Sequence, residues 1–153
     1  MDITIREAKI SDLSSVLALY AYLLTDKESE YVLTLKEAKK IFKQIKKYPD
    51  YKLFIAMIEK ELVGTFALLI MDNIGHMGMP IGIVENFVVK PDYRRKGIGA
   101  RMMEFAMDYS KKKGCYKMML SSNMKRKKAH HFYASLGFMR HGYSFYVSIK
   151  EDQ

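Results

Sequence analysis

The stretch from residue 81 to residue 113 constrains the fold most, because its pattern changes from strand-like to helix-like within a few residues. Residues 81–89 are mostly apolar and predict a buried strand, which Pro91 ends because proline cannot donate to a sheet ladder. Gly97 and Gly99 then open a helix whose large apolar side chains recur at helical spacing: Ile98, Met102, Phe105 and Tyr109. A strand at 116–121 completes a βαβ unit, so the sheet contains parallel strands.

The rest of the chain predicts further strands and helices on both sides of this unit. Before it we expect a strand at 3–6, a helix from Ser11 or Asp12, a helix capped by Thr34 with Glu37, and strands at 52–58 and 62–70. After it we expect a helix at 126–136 and closing strands at 138–140 and 144–149. The predicted class is α/β (α+β), with a mixed, mostly antiparallel central sheet of about seven strands and helices on both faces.

The 153 residues fit one compact domain, so we expect a single domain over residues 1–153. Cys115 is the only cysteine, which suits a reducing compartment. The first ten residues do not resemble a signal peptide, and no run approaches the roughly 18 apolar residues of a membrane span. The four histidines lack metal-ligand spacing. We therefore expect a cytoplasmic protein with no membrane partner and no metal.

The net charge of +9 favours an anionic partner, which could be nucleic acid, a membrane surface or a phosphorylated cofactor. Part of this charge is concentrated at residues 94–96 and 125–128. The first run precedes the helix that Gly97 opens, where backbone N–H groups have no partner within the helix. Glycine lets a ligand approach that backbone and the helix dipole favours an anion, so the segment suits a pyrophosphate. The alternative is that the glycines only shape a turn and the basic side chains are solvated.

Two common phosphate-binding motifs do not fit the segment. No Gly-Lys-Ser/Thr follows the second glycine, as a P-loop would require. The dinucleotide-binding fingerprint needs three glycines, and the segment has two. A nucleotidase and a dinucleotide-dependent enzyme are therefore disfavoured.

The sequence Arg94-Arg95-Lys96-Gly97-Ile98-Gly99-Ala100 resembles the Arg/Gln-x-x-Gly-x-Gly/Ala signature of the GNAT superfamily of N-acetyltransferases. Residues 129–138 resemble the family's later motif, a helix that carries a tyrosine and ends in Gly-Phe. The predicted order of elements is also similar to the order in the family. The resemblance implies a GNAT-like acyl-CoA N-acyltransferase fold. It also implies transfer of an acetyl group from acetyl-CoA to a primary amine by direct attack in a ternary complex.

The resemblance also implies where coenzyme A binds. The backbone of residues 95–100 would hold the pyrophosphate, and the strand backbone would pair with the pantetheine arm in a splay between strands 81–89 and 116–121. Residues 125–128 would either contact the cofactor's phosphates or solubilise a helix. The implied cofactor-binding residues are Phe87, Val88, Val89, Arg94, Arg95, Lys96, Gly97, Ile98, Gly99, Ala100, Asn123 and Tyr133.

The implied reaction needs a base for the amine, a dipole for the oxyanion and an acid for the leaving thiolate. Tyr133 matches the motif tyrosine and is the candidate acid, although its ring could equally be core. Glu85 is the candidate base, because a carboxylate within an apolar strand is unusual and burial would make it more basic. It could instead bind the substrate or pair with Arg or Lys. A backbone N–H of Val88 or Val89 would polarise the thioester carbonyl.

Acceptor recognition is implied for residues 20–31 and 72–80. The candidate substrate-binding residues are Tyr22, Tyr31, His76 and His130, although tyrosines at helical spacing are more often packing residues. A small-molecule amine is favoured, with a protein N-terminus or lysine as the second choice. The rivals from another class are a non-catalytic nucleic-acid-binding domain and a CoA-sensing domain. The sequence has no helix-turn-helix, zinc-finger or aromatic RNA-binding signature, so the first rival is disfavoured. A homodimer through residues 143–149 is possible.

Overall fold

The computed structural model describes residues 1–24 and 33–150. Along these residues the strands and helices follow the predicted order as far as the last helix. They are β1 (Ile3–Glu7), α1 (Leu13–Tyr20), α2 (Leu35–Ile45), β2 (Tyr51–Ile58), β3 (Glu61–Met71), β4 (Ile81–Val89), α3 (Ile98–Lys112), β5 (Lys117–Met119) and α4 (Lys127–Ser135).

The described strands form one mixed sheet in the order β1-β2-β3-β4-β5. The first four pair antiparallel, and β4 pairs parallel with β5, which confirms the mixed and mostly antiparallel character. Within residues 1–24 and 33–150 the sheet has five strands, so the prediction of about seven is wrong. Residues 138–140 and 144–149 are not strands. An alternating pattern can give a segment an apolar face, but a strand also needs a neighbouring strand to pair with. The large side chains of residues 143–149 are exposed, so this segment does not bury an apolar face.

Helices cover both faces of the sheet, as predicted. On one face, α1 and α2 pack on the sheet in a buried cluster that includes Val16, Phe42, Leu53 and Ile55. On the other face, α3 places Phe105 against Phe54 and Phe66, at ring-centroid distances of 5.1 and 6.5 Å. The predicted cap of α2 is confirmed, since Thr34 and Glu37 form a capping box.

The chain divides into two compact units, residues 1–120 and 121–153. The sheet and α1–α3 belong to the first unit, and α4 belongs to the second. A single domain over residues 1–153 remains a prediction.

Replacing Phe66 with alanine is expected to lower the free energy of unfolding by about 3–5 kcal/mol. Phe66 is fully buried and its ring stacks on Phe54 at 5.3 Å, so truncation would leave a cavity between the sheet and α3. Urea titration followed by circular dichroism would measure the loss. Ile74→Ala is the control, because Ile74 is fully exposed and should change stability by less than about 0.5 kcal/mol. A similar loss in both variants would contradict the assignment of Phe66 to the core.

Candidate active site

A bulge interrupts strand β4 in the middle of the region predicted to bind the cofactor. Glu85 is opposite Ala67 on β3 and Val88 is opposite Thr65, so Asn86 and Phe87 together face one residue of β3. Asn86 has φ of +51°, a left-handed conformation that asparagine tolerates better than most residues. The extra residue places Glu85 and Val88 on the same face of the sheet, the face that α1 and α2 cover.

The pairing of β4 with β5 ends early. The last pair is Ile83 with Met119, while β4 continues to Val89. Among the described residues, the pairing of β4 with β5 therefore does not extend beyond Ile83, at the place where the splay was predicted. A strand edge beyond the end of its neighbouring strand can offer backbone N–H and C=O groups to an extended ligand. The bulge lies within this stretch of β4.

The N-terminus of α3 follows directly after β4 and contains the predicted anion site. Gly97 is the N-cap with φ of +79°, and a Cβ placed there would meet nothing within 4 Å. Gly99 and Ala100 lie in the first turn, whose backbone N–H groups have no partner within the helix. Beside this turn, Lys96, Gly97, Ala100 and Arg101 line a groove of about 540 Å³ with the first three residues of the chain. The backbone is thus open to a ligand, so the residues present fit a pyrophosphate.

The basic residues before Gly97 take different positions. Arg94 folds back, and its Nε donates to the carbonyl of Val89 at 3.0 Å. Arg95 is exposed and has φ of +60°. Lys96 places its Nζ 5.3 Å from the ring centroid of Tyr93. Arg95 and Lys96 make no ion pair with another described residue, so both can contribute charge to an anion site.

Glu61 holds the turn between β4 and α3, a role that the sequence analysis missed. Its carboxylate pairs with the Lys90 ammonium and accepts a hydrogen bond from the Tyr93 hydroxyl at 2.6 Å. These hydrogen bonds lower the pKa of Glu61. Because Glu61 is far from the turn in sequence, no local pattern could have indicated the contact.

Two tyrosines from different elements lie near Glu85 and Asn86 of β4: Tyr20 at the end of α1 and Tyr51 on β2. Burial raises the pKa of Tyr20, at the end of α1, to about 12, and a hydrogen bond with the Asn86 side chain acts in the opposite direction. Burial, followed by the charge of Glu85, raises the pKa of Tyr51 on β2. Both phenols therefore stay protonated at neutral pH. The expectation that Glu85 is buried is wrong: its side chain is exposed, since β5 ends opposite Ile83 and does not extend beside it.

The candidate acceptor residues are dispersed. Tyr22 lies just after α1 and is 50% exposed. Tyr31 lies outside the described residues. His76 is exposed in the loop before β4, where its ring stacks on that of Tyr116 at 4.1 Å. Lys117 places its Nζ 5.4 Å from the same tyrosine ring. Tyr116 and Lys117 were not among the predicted site residues, because only the fold brings them to His76.

The remaining candidates, Asn123, His130 and Tyr133, belong to the second unit. The backbone carbonyl of Asn123 lies 2.9 Å from Nε2 of His130, and its side chain accepts a hydrogen bond from the Lys125 N–H. The Tyr133 ring lies 5.9 Å from that of Phe138. Burial raises the pKa of Tyr133, while the charge of Arg126 acts in the opposite direction. Its phenol therefore stays protonated at neutral pH and can donate a proton.

Residues 1–24 and 33–150 contain neither a candidate metal site nor a candidate membrane-spanning helix. No group of three or more His, Cys, Asp or Glu side chains there could hold a metal ion. None of the helices in those ranges is both long and apolar enough to cross a membrane.

The mixed sheet, the bulge in β4 and the helix that follows Gly97 agree with the fold that the resemblance implies. The sequence pattern of the Acetyltransferase (GNAT) family matches residues 17–138, and the chain belongs to this family. It is therefore an acetyltransferase that acts on amines and uses acetyl-CoA.

Three relatives illustrate the relationship. Glucosamine 6-phosphate N-acetyltransferase of Trypanosoma brucei brucei is 30% identical over 92% of both chains. Aminoalkylphosphonate N-acetyltransferase of Salmonella typhimurium is 29% identical over 63% of this chain and 62% of its own. A solved structure from Agrobacterium tumefaciens, provisionally assigned as an acetyltransferase, is 30% identical and superposes with a TM-score of 0.87. That match covers 95% of this chain and 99% of the other.

Proposed function

We propose that the protein transfers the acetyl group of acetyl-CoA to the primary amine of a small molecule, by direct attack in a ternary complex. The observation that carries this proposal is the end of the β4–β5 pairing at Ile83, which leaves the carboxylate of Glu85 beside the stretch of β4 predicted to bind the pantetheine arm. The base and the thioester would then meet at one point of the sheet.

The cofactor would bind along one continuous path. Phe87, Val88 and Val89 would hold the pantetheine arm through their backbone, and the backbone of residues 95–100 would hold the pyrophosphate. Arg94, Arg95 and Lys96 would add positive charge, and Asn123 would lie on the far side of the cofactor. Bound acetyl-CoA would supply the activated acetyl group. The open space around Gly97 supports this placement, because a diphosphate can approach the backbone there without a Cβ in its way.

Three groups of the chain would carry out the proton and charge steps. Glu85 would take a proton from the acceptor ammonium, directly or through a water, because a protonated amine cannot attack. A backbone N–H of Val88 or Val89 would stabilise the developing oxyanion. Tyr133 would donate its phenolic proton to the leaving thiolate, and its raised pKa supports a protonated resting form.

The acceptor would be an amine that also carries a phosphate or phosphonate group. The relatives from Trypanosoma and Salmonella are named for glucosamine 6-phosphate and aminoalkylphosphonate, which combine both groups. The net charge of +9 would attract such an anion. A protein N-terminus or lysine is the second candidate acceptor. Nucleic acid is a disfavoured partner. We also propose that the protein is cytoplasmic and forms a homodimer.

Acetyl transfer to a panel of amines, scored by release of free thiol, would test the proposal. The panel should contain glucosamine 6-phosphate, aminoethylphosphonate, glucosamine and a lysine peptide. Turnover of a small amine above the peptide is expected. A preference for the peptide would favour the second acceptor class, and acetyl-CoA binding without any turnover would favour a CoA-sensing domain.

Tyr133→Phe is expected to lower kcat by about 10²-fold while leaving the affinity for acetyl-CoA unchanged, because it removes the acid and keeps the ring. Single-turnover kinetics would measure the loss, and isothermal titration would check the affinity. Tyr143→Phe is the control, since Tyr143 is a highly exposed tyrosine of the same unit. An unchanged kcat in Tyr133→Phe would show that Tyr133 only packs against its neighbours and is not the acid.

A further inference from the structure

The face of the sheet that carries Glu85 also carries a lysine at its other end. Lys117 pairs with Ile81, and Met119 pairs with Ile83. On the opposite face, a Cβ at Gly82 would lie 2.6 Å from Ser110 Oγ of α3. Because side chains alternate along a strand, Ile81, Ile83 and Glu85 share the face of α1 and α2, and Lys117 shares it with them.

The surface between the two charged groups is apolar and partly open. Ile81 and Ile83 are half-buried, and Met119 is 44% exposed. Glu85 lies four residues along β4 from the partner of Lys117, which corresponds to about 13 Å of strand. The side chains of Glu85 and Lys117 are long enough to extend towards each other along this face. Their charged ends can therefore contact the two ends of one small molecule.

A histidine contacts the same aromatic side chain as the lysine. The rings of His76 and Tyr116 are nearly parallel, at 19°, with centroids 4.1 Å apart. The Lys117 ammonium lies 5.4 Å from the centroid of the same Tyr116 ring, so both groups are held against one aromatic side chain. Lys117 makes no ion pair with any other residue of the described ranges. Its charge is therefore available to an anion.

This cluster is separate from the cofactor's phosphate site. Lys117 lies beside the first residue of β4, and the loop to Gly97 follows the last residue of the same strand. The full length of β4, about 26 Å, separates the two ends. A single molecule of coenzyme A whose pyrophosphate lay at Gly97 and whose pantetheine ran along β4 would direct its thioester, not its phosphates, towards Lys117.

We propose that Lys117 and His76 bind the phosphate or phosphonate group of the acceptor, while its amine lies at Glu85. This inference rests on the proposed function, because it assumes a phosphorylated amine as acceptor. An ammonium and an imidazole N–H both donate to phosphoryl oxygens, and the apolar strip between the ends would contact the carbon skeleton. The sheet would thus select acceptors by the distance between their amine and their phosphate or phosphonate group.

The test compares glucosamine 6-phosphate with glucosamine, which offer the same amine with and without the phosphate. Lys117→Gln is expected to raise KM for glucosamine 6-phosphate about tenfold or more, and to leave KM for glucosamine and Kd for acetyl-CoA unchanged. His76→Gln should act in the same direction with a smaller effect. Lys117→Arg should restore most of the affinity, because it keeps the positive charge.

Lys111→Gln is the matched control, since it removes the same charge from an exposed site at the end of α3. Its KM values should follow the wild type. Equal effects of Lys111→Gln and Lys117→Gln would overturn the proposal, because they would show only a general electrostatic attraction. An equal rise in KM for both amines in Lys117→Gln, or no preference of the wild type for the phosphorylated amine, would also overturn it.

A binding measurement separates this inference from the proposed function. Glucose 6-phosphate carries the phosphate without an amine, so calorimetry reports the subsite without any acetyl transfer. Binding that Lys117→Gln weakens about tenfold would support the subsite even if no amine were acetylated, in which case the proposed reaction alone would fail. Acetyl transfer to glucosamine 6-phosphate that is insensitive to Lys117→Gln would overturn the subsite and leave the reaction standing.

Discussion

Replacing Gly97 with tryptophan is expected to weaken acetyl-CoA binding by about 100-fold or more. A Cβ at this position points into open space at the N-terminus of α3, so the indole would occupy the volume through which a diphosphate reaches the backbone N–H groups. Losing even two hydrogen bonds to a charged group is enough for a loss of this size. Calorimetric titration with acetyl-CoA would measure the dissociation constant directly.

The chain offers a closely matched control for backbone strain. Gly114 follows the other end of α3 and has φ of +78°, and a Cβ placed on it would meet nothing within 4 Å, as at Gly97. Gly114→Trp therefore imposes the same left-handed strain without approaching the predicted pyrophosphate site. Its affinity for acetyl-CoA should equal that of the wild type. If both variants lost the same affinity, the effect of Gly97→Trp would be one of folding, and the placement of the pyrophosphate would be wrong.

The parts of the fold that the sequence predicted well depend on local chemistry. β4 begins and ends at residues 81 and 89, as predicted, because an apolar run and Pro91 define it. The N-terminus of α2 is also where the Thr34 and Glu37 capping box indicated. α3 begins at Ile98, directly after Gly97, where the glycines indicated the start of a helix. Each of these features is determined by residues within one turn or one strand.

The errors have a common physical cause, which is that they depend on partners distant in sequence. The closing strands were predicted from alternation alone, which does not say whether a neighbouring strand is present. The bulge at Asn86 was not predicted either, because nothing in residues 81–89 distinguishes a bulged strand from a regular one. The cluster around Glu85 joins α1, β2 and β4, so its tyrosines could be recognised as a group only once the sheet was known.

Glu85→Gln is expected to lower kcat by about 10²-fold or more, because the amide cannot accept the proton of the acceptor ammonium. The substitution keeps the shape of an exposed side chain, so stability and the affinity for acetyl-CoA should change little. The difference from the wild type should narrow as the pH rises, since an acceptor that is already deprotonated no longer needs a base. Measurement of kcat against pH for both proteins would show this convergence.

Glu104→Gln is the control for loss of a carboxylate, because Glu104 is an exposed residue of α3 whose ion partner is Arg101. It should keep the kcat of the wild type at every pH. A Glu85→Gln variant whose kcat fell equally at all pH values would point to substrate binding by Glu85 rather than proton removal. A variant with unchanged kcat would exclude Glu85 from the reaction, and the bulge in β4 would then act only by orienting the N–H groups of the strand.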